Sequence, residues 1–451
     1  MLSWGEVRRQ APPLIALALP LVLGEFGWMM MSVVDTMMVG RVGKEAMGAV
    51  SVGGVLFYTV ALFGMGMMLG LDTLVSQAFG GGRTADCHRS LINALWLAAA
   101  LAPALMLAQW MWMPLLTTFG VNPAVLRETR RYLEALLWST PPLLVYAAFR
   151  RYLQGMNQVK PVMFALISAN AVNALVNWML IFGHWGAPAL GVAGAGWATV
   201  ASRIYMAAVL VSYALWWNAR RGTGLWRAPL CPSLERMRAL VALGAPAALQ
   251  IVIEIGVFAL VTTLIGKLDA TSLAAHQIAI NAVSFSFMVP LGLGSAAAVR
   301  VGQAVGRGDW EGAASAGWAA IGLGVSIMAG FALLFIGAPR LIGRMFTNDV
   351  QVIDAAIGLL ALAALFQLFD GAQGVATGAL RGAGNTRIAA VTHLVGYWLV
   401  GLPSGYWLCF SARWGAAGLW AGLCAALILI GIILAGAWAR LARLRRLVLA
   451  A

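Results

Sequence analysis

The chain has 451 residues, 61% of them hydrophobic and only 10% charged, against about 25% charged in a soluble globular chain. Its net charge of +14 comes from arginines in short segments between long apolar runs, which excludes a nucleic-acid-binding surface and reads as a membrane-topology signal. The four cysteines, Cys87, Cys231, Cys409 and Cys424, have neither metal-ligand spacing nor the pattern of a disulfide framework.

The apolar runs predict twelve spans, at 12–39, 47–76, 91–116, 132–154, 161–182, 189–216, 240–266, 272–302, 313–338, 353–376, 388–410 and 415–438. Each must be helical, because lipid offers no partner for an open backbone group. The expected fold class is therefore an all-α polytopic membrane protein. The first run is too long for a cleavable leader and lacks a small-residue cleavage site before Glu25. With the amino terminus in the cytoplasm, 20 Lys and Arg side chains fall on the cytoplasmic side and nine on the other. That excess predicts both termini in the cytoplasm.

Span one, LIALALPLVLGEFGWMMMSVVDTMMV, carries Glu25 and Asp35. A charge near the middle of a bilayer costs about 2.5–3.5 kcal/mol or more, so such a residue usually faces a cavity, a partner or an ion path. Asp35 reads as a functional acid on that ground; the competing reading makes it a cap or anchor near the water interface. Glu25 is ambiguous, since Pro20 and Gly24 can distort the helix around it. Span five carries Asn170, Asn173 and Asn177, and the last two, four apart, share a helix face. They read either as a polar pocket with Asp35 or as amides joining helices. Arg203 is the cation inside span six, placed either to snorkel or to pair with an acid.

The segment 217–239, with Gly222, Gly224, Pro229 and Pro232, reads as a cytoplasmic linker. It divides an amino-terminal six-helix lobe, 1–216, from a carboxy-terminal lobe with a basic tail, 240–451. Glu254 lies midway along span seven, and Asp370 lies in span ten one turn after Phe366. Either acid can exchange a proton or Na⁺ for a positively charged substrate, or can hold helices together as a neutral or paired group. His276, near the edge of span eight, reads as a satisfied interface residue. No P-loop, H-E-x-x-H, nucleophile elbow or C-x-x-C is present, and GGGR at 80–83 and GRGD at 306–309 read as tight turns. Neither a cofactor nor enzymatic chemistry is expected.

The lobes look duplicated. Gln77 matches Gln303 and Asn122 matches Asn348, each 226 residues on, and Gln154-Gly155 matches Arg381-Gly382 at 227. Parallel repeats of this kind are a transporter plan. The acids break the symmetry: Val261 stands opposite Asp35, Trp28 opposite Glu254 and Leu144 opposite Asp370.

Seven stretches carry a resemblance to a known family: VVDTMMVG at 33–40, SQAFGGG at 76–82, YLQGMNQVKP at 152–161, NAVNALVNWMLIFG at 170–183, LGVAGAGWAT at 190–199, AAHQIA at 274–279 and TGALRGAGNT at 377–386. The chain resembles the multidrug and toxic compound extrusion transporters, in their bacterial NorM-like branch, over essentially all twelve spans. The resemblance implies two six-helix lobes forming a V around a central cavity. It also implies export of cationic, often aromatic, drugs in exchange for H⁺ or Na⁺ from the bacterial inner membrane. On that resemblance Asp35 takes the acidic position of the first helix, with Asn173 and Asn177 as its polar neighbours. Glu254 and Asp370 take the carboxy-lobe acids associated with cation binding, a Na⁺ site among the options, and Phe366 takes a nearby aromatic position. The expected partners are small organic cations, the coupling ion and membrane lipid, with the chain acting as a monomer. A flippase for a lipid-linked precursor is the alternative reading, and it calls for a more basic cavity.

Overall fold

A computed structural model describes residues 4–117 and 123–450, and it is helical throughout, with no strand among those residues. The helices are α1 (Trp4–Val39), α2 (Lys44–Met67), α3 (Gly70–Gly80), α4 (Thr84–Trp112), α5 (Pro123–Leu136), α6 (Thr140–Gly155), α7 (Lys160–Phe182) and α8 (Val192–Arg221). They continue with α9 (Leu234–Ile265), α10 (Ala270–Gly306), α11 (Trp310–Gly337), α12 (Pro339–Arg344), α13 (Val350–Gly382), α14 (Arg387–His393), α15 (Leu402–Tyr406) and α16 (Ala416–Ala450). Among the described residues, 11 helical stretches are long and apolar enough to cross a membrane. The fourth expected span differs from these. It is α5 and α6 joined by a 3₁₀ turn at Leu137–Ser139, and α5 carries Arg127, Glu128, Arg130, Arg131 and Glu134 on an exposed face, with Arg130 and Glu134 3.0 Å apart. That charge lowers its hydropathy without breaking the helix.

The eleventh expected span also departs from a plain α-helix. It runs as α14, a π-helical stretch at Leu394–Gly401, α15, and a second π-helical stretch at Trp407–Ser411. Pro403 has no N–H to give the preceding turn, and such wide turns absorb the missing bond.

The 226-residue repeat is visible in the elements. Lys44 and Gly80, the outer ends of α2 and α3, become Ala270 and Gly306, the ends of α10. Of the sequence anchors, Asn122 lies outside the described residues. The chain forms two compact units, Leu23–Ala248 (the amino unit) and Met1–Val22 with Leu249–Ala451 (the carboxy unit). The breaks fall inside α1 and α9 at equivalent positions, so each of these helices gives its first part to one unit and the remainder to the other.

The contacts that seat these first parts are themselves equivalent. In the amino unit, a Cβ on Gly66 would lie 2.5 Å from the Ala248 Cα; in the carboxy unit, a Cβ on Gly292 would lie 2.7 Å from the Val22 backbone nitrogen. Only glycine admits another backbone this closely. Within the carboxy unit, Arg300 also donates to Gln10 Oε1 at 2.6 Å.

The segment 217–239 is tied to α4. The His88 Nε2–H donates to Thr223 O at 2.8 Å, Trp96 Nε1 donates to Leu230 O at 2.7 Å, and Ser233 N donates to Asn93 Oδ1 at 2.7 Å. Arg236 pairs with Asp86 at 2.6 Å. In the amino unit α7 packs on α8, and α5 lies against α2 and α8; in the carboxy unit α13 lies against α10, α11 and α16.

Candidate functional site

Each unit contains one acidic cluster. In the amino unit Asp35, near the end of α1, is 6% exposed, and Asn173 and Asn177 on α7 are 0% exposed. A carboxylate at that depth needs donors to replace water. Asn177 Nδ2 donates to Asp35 Oδ1 at 2.6 Å and to Asn173 Oδ1 at 3.1 Å, and Thr199 Oγ1 on α8 donates to Asp35 Oδ2 at 3.4 Å. The four-residue spacing on α7 puts the two amides in series with the acid, as the sequence suggested. Asn173 Nδ2 and Asn177 Oδ1 are buried with no protein partner among the described residues. Asn170 does something different: its amide donates to Gly27 O and Leu166 O, both at 2.9 Å, and so fastens α7 to α1.

Other buried charges of this unit have protein partners. Glu25 forms an ion pair with Arg150 on α6, both sheltered from solvent. Asp72 on α3 meets Arg151 at 3.4 Å. Arg203 does not snorkel. It is 1% exposed, donates to Ser139 Oγ, and its guanidinium lies over the Phe57 ring, 4.7 Å from the centroid, a cation–π contact.

In the carboxy unit Glu254 and Asp370 are brought into one network by residues that the sequence did not single out. Gln373 Nε2, one turn after Asp370 on α13, donates to Asp370 Oδ1 at 3.1 Å. Gln373 Oε1 lies 2.9 Å from His393 Nε2, at the end of α14. His393 Nε2 lies 3.8 Å from Glu254 Oε2 on α9. Tyr397 OH, in the π-helical stretch, donates to Glu254 Oε1 at 3.4 Å. The Gln250 amide nitrogen is 3.5 Å from the same imidazole nitrogen, and Trp398 Nε1 ties the helices by donating to Ile253 O at 3.1 Å. The signal for His393 was available: it is an ionisable side chain inside the apolar run VTHLVGYWLV.

Phe366 is buried and stacks on Trp420, with ring centroids 6.1 Å apart. Trp420 Nε1 donates to His276 Nδ1 at 3.0 Å, and the His276 Nε2–H donates to Thr262 Oγ1 at 2.8 Å. His276 is thus satisfied, as expected of an interface residue.

One oxygen of each of these carboxylates is engaged by a protein donor. A hard cation takes a cage of oxygen ligands. Here Glu254 Oε1 accepts from Tyr397 and Asp370 Oδ1 from Gln373, and the His393 imidazole lies 3.8 Å from Glu254 Oε2. No group of three or more His, Cys, Asp or Glu side chains among the described residues is arranged to hold a metal.

The MatE family model matches this chain twice, over residues 20–179 and 246–407. The two starts are again 226 residues apart. The "Probable multidrug resistance protein NorM" of Mesorhizobium japonicum is 36% identical over 444 residues, covering 96% of this chain and 94% of that protein. The protein of the same name from Pseudomonas putida is 36% identical over 415 residues, covering 91% and 90%. A solved structure of the eukaryotic MATE transporter AtDTX14 superposes with a TM-score of 0.87 at 23% identity, covering 98% of this chain and 99% of that one. It matches the two-lobed helical fold.

Proposed function

The chain belongs to the MatE family of transporters, and from that premise we propose that it exports cationic or amphiphilic aromatic compounds in exchange for H⁺ or Na⁺ by alternating access. It is a secondary active transporter of the multidrug-resistance kind, a multi-pass protein of the bacterial inner membrane, and not an enzyme. The finer reading places both termini in the cytoplasm and has the chain working as a monomer in lipid.

One observation carries the assignment of the site. Asp35 is buried against amides and a hydroxyl, two atoms of which have no protein partner, while its repeat equivalent Val261 is an ordinary core residue, 1% exposed. The scaffold therefore packs without an acid at this position, and the acid serves something other than packing. A buried carboxylate with spare donors and acceptors beside it suits reversible occupation by a proton, a water or a cationic group.

In the cycle, the acids Asp35, Glu254 and Asp370 take up the coupling cation in the outward-open state, with Asn173 and Asn177 stabilising the charge at Asp35. Rearrangement exposes the loaded sites inward. Drug binding and cation release then compete for the same negative regions, and the cycle reverses to release drug outside. Phe366 supports the carboxy-unit helices through Trp420. The buried cations Arg150 and Arg203 are engaged with Glu25 and Phe57, which argues against the more basic cavity that a lipid-precursor flippase calls for.

The test is uptake of a fluorescent organic cation into everted vesicles under an imposed ΔpH or Na⁺ gradient. Asp35→Asn is expected to abolish the gradient-driven component. Undiminished transport in Asp35→Asn, Glu254→Gln and Asp370→Asn alike would refute the shared-site mechanism.

A further inference from the structure

We propose that a groove on the amino unit, between the start of α7 and the second half of α8, holds an anionic phospholipid as a resident ligand. One acyl chain lies along Phe164 and Val209, and the phosphate lies at Lys160. The inference goes beyond the efflux reading and rests on it only for the leaflet, because the proposed orientation puts this end of the unit in the cytoplasm.

The walls come from both helices. Pro161 and Phe164, in the first two turns of α7, and Val209 and Tyr213 on α8 line a cavity of about 410 Å³, with Lys160 at its edge. Tyr205, Val209 and Tyr213 follow one another at four-residue spacing and share one face of α8. The tyrosine hydroxyls on that face are already satisfied. Tyr213 OH donates to Gln158 Oε1 at 2.9 Å, and Tyr205 OH donates to Ser168 Oγ at 3.1 Å. What remains to be covered is apolar surface, and Phe164 leaves 59% of its own open. An acyl chain covers that surface without displacing either hydrogen bond.

The charge at one end selects the headgroup. Lys160 is the first residue of α7, at the end of a helix long and apolar enough to cross a membrane, which is the level of the lipid phosphates. Beyond Tyr213 on α8 comes Trp216, with ring centroids 5.5 Å apart, and the Arg220 guanidinium lies 5.0 Å from the Trp216 centroid. Tyrosine and tryptophan favour the membrane interface. Between Glu134 and Glu235 the chain has seven Lys or Arg and no Asp or Glu. Arg150, Arg151 and Arg203 are engaged inside the unit. The other four, Lys160, Arg220, Arg221 and Arg227, are exposed. Asp86, in the first turn of α4, already has Arg83, Arg89 and Arg236 around it. Phosphatidylethanolamine brings its own ammonium, and residues 135–234 give that ammonium no carboxylate to meet. Phosphatidylglycerol brings net negative charge. Basic clefts between spanning helices on the cytoplasmic side suit anionic headgroups on this ground.

The position gives the lipid a consequence. Asn177 on α7 and Thr199 on α8 both donate to Asp35, so a ligand lying across the two helices steadies the pair that holds the acid.

The test uses the full chain in detergent with equal amounts of phosphatidylglycerol and phosphatidylethanolamine, and native mass spectrometry to identify what stays bound. The wild type is expected to retain phosphatidylglycerol in preference to phosphatidylethanolamine, and to unfold at a higher temperature when phosphatidylglycerol is present. Lys160→Gln is expected to lower that preference by about fivefold, and Lys160→Gln with Arg220→Gln to lower it further. Val209→Trp, which keeps every charge and fills the groove, is expected to lose the bound lipid as well. Equal retention of the two lipids by the wild type would overturn the site. So would a preference unchanged in either the double charge variant or Val209→Trp, or a second copy of the chain bound in place of lipid. Binding is read here without any gradient, so the efflux reading stands or falls separately, on transport of an organic cation.

Discussion

The two units bury acid in different ways. In the amino unit three acids sheltered from solvent have separate partners: Glu25 is held by Arg150, Asp72 by Arg151, and Asp35 by the neutral donors Asn177 and Thr199. In the carboxy unit two acids share one network, joined through an amide and an imidazole. The same repeat therefore supports two kinds of polar centre. One is a lone acid whose neighbours cannot titrate near neutral pH. The other is a set in which two acids, an amide and an imidazole are neighbours. A gradient-driven cycle can use both.

The contrast is broken most severely where a permanent charge pair is opened. Arg150→Met leaves Glu25 sheltered and unpaired, a change that typically costs about 3–5 kcal/mol. Unfolding in detergent is expected to show that loss, and Glu25→Gln combined with Arg150→Met should recover most of it. If the single variant is as stable as wild type, Glu25 is not the structural acid of α1.

A smaller effect, on transport rather than stability, is expected at Asp35. Asp35→Asn keeps the shape and a hydrogen-bonding partner for Asn177, so the fold should persist while gradient-driven export falls by about tenfold or more, a barrier change of roughly 1.4 kcal/mol. Asp370→Asn tests the other kind of centre. The new amide keeps an oxygen to accept from Gln373 Nε2 but removes a titratable group from the network, so pH dependence should be flattened while some export persists. Equal pH profiles for the two variants would show that the units do not differ in the way described.

The twelve spans, the repeat and the acids were legible because lipid makes them so: a long apolar run is hard to mistake, and an acid inside it is conspicuous. Asn173 and Asn177 were legible because helical periodicity puts them on one face. The partner of Glu25 was not, since Arg150 lies 125 residues away and only packing brings it near. His393 was conspicuous as an ionisable group in an apolar run, but its partners were hidden for a related reason. Its importance lies in Gln373 and Glu254 coming from two other helices, and no spacing along the chain announces that. The contact of Phe366 with Trp420 was not legible either, since 54 residues separate the two along the chain.

The amides separate fastening from function more finely. Asn170→Ala removes two bonds to backbone carbonyls and should lower stability by about 1 kcal/mol with export per folded molecule unchanged. Asn177→Ala removes a donor from Asp35 and should lower export at similar stability cost. A loss of export in Asn170→Ala matching that in Asn177→Ala would place the whole amide stripe in the site.

The smallest effect lies outside the membrane, where the units differ at the starts of equivalent helices. Gly43 precedes α2 and Arg83 precedes α4, neither with a side-chain cap; their counterparts 226 residues on are Asp269 and Asp309, and both cap. Asp269 accepts from Ser272 N at 2.8 Å and from Ser272 Oγ at 2.7 Å. The backbone bond first, and the hydroxyl second, hold its carboxyl below the usual aspartate value. Because the folded group is the stronger acid, its contribution is complete above the unfolded value of about 3.9 and fades as pH falls through the folded value. The wild type should therefore melt slightly higher than Asp269→Ala at neutral pH, with the gap closing in acid below about pH 4. A gap that is constant across that range would mean the aspartate stabilises α10 by its shape and not by its charge.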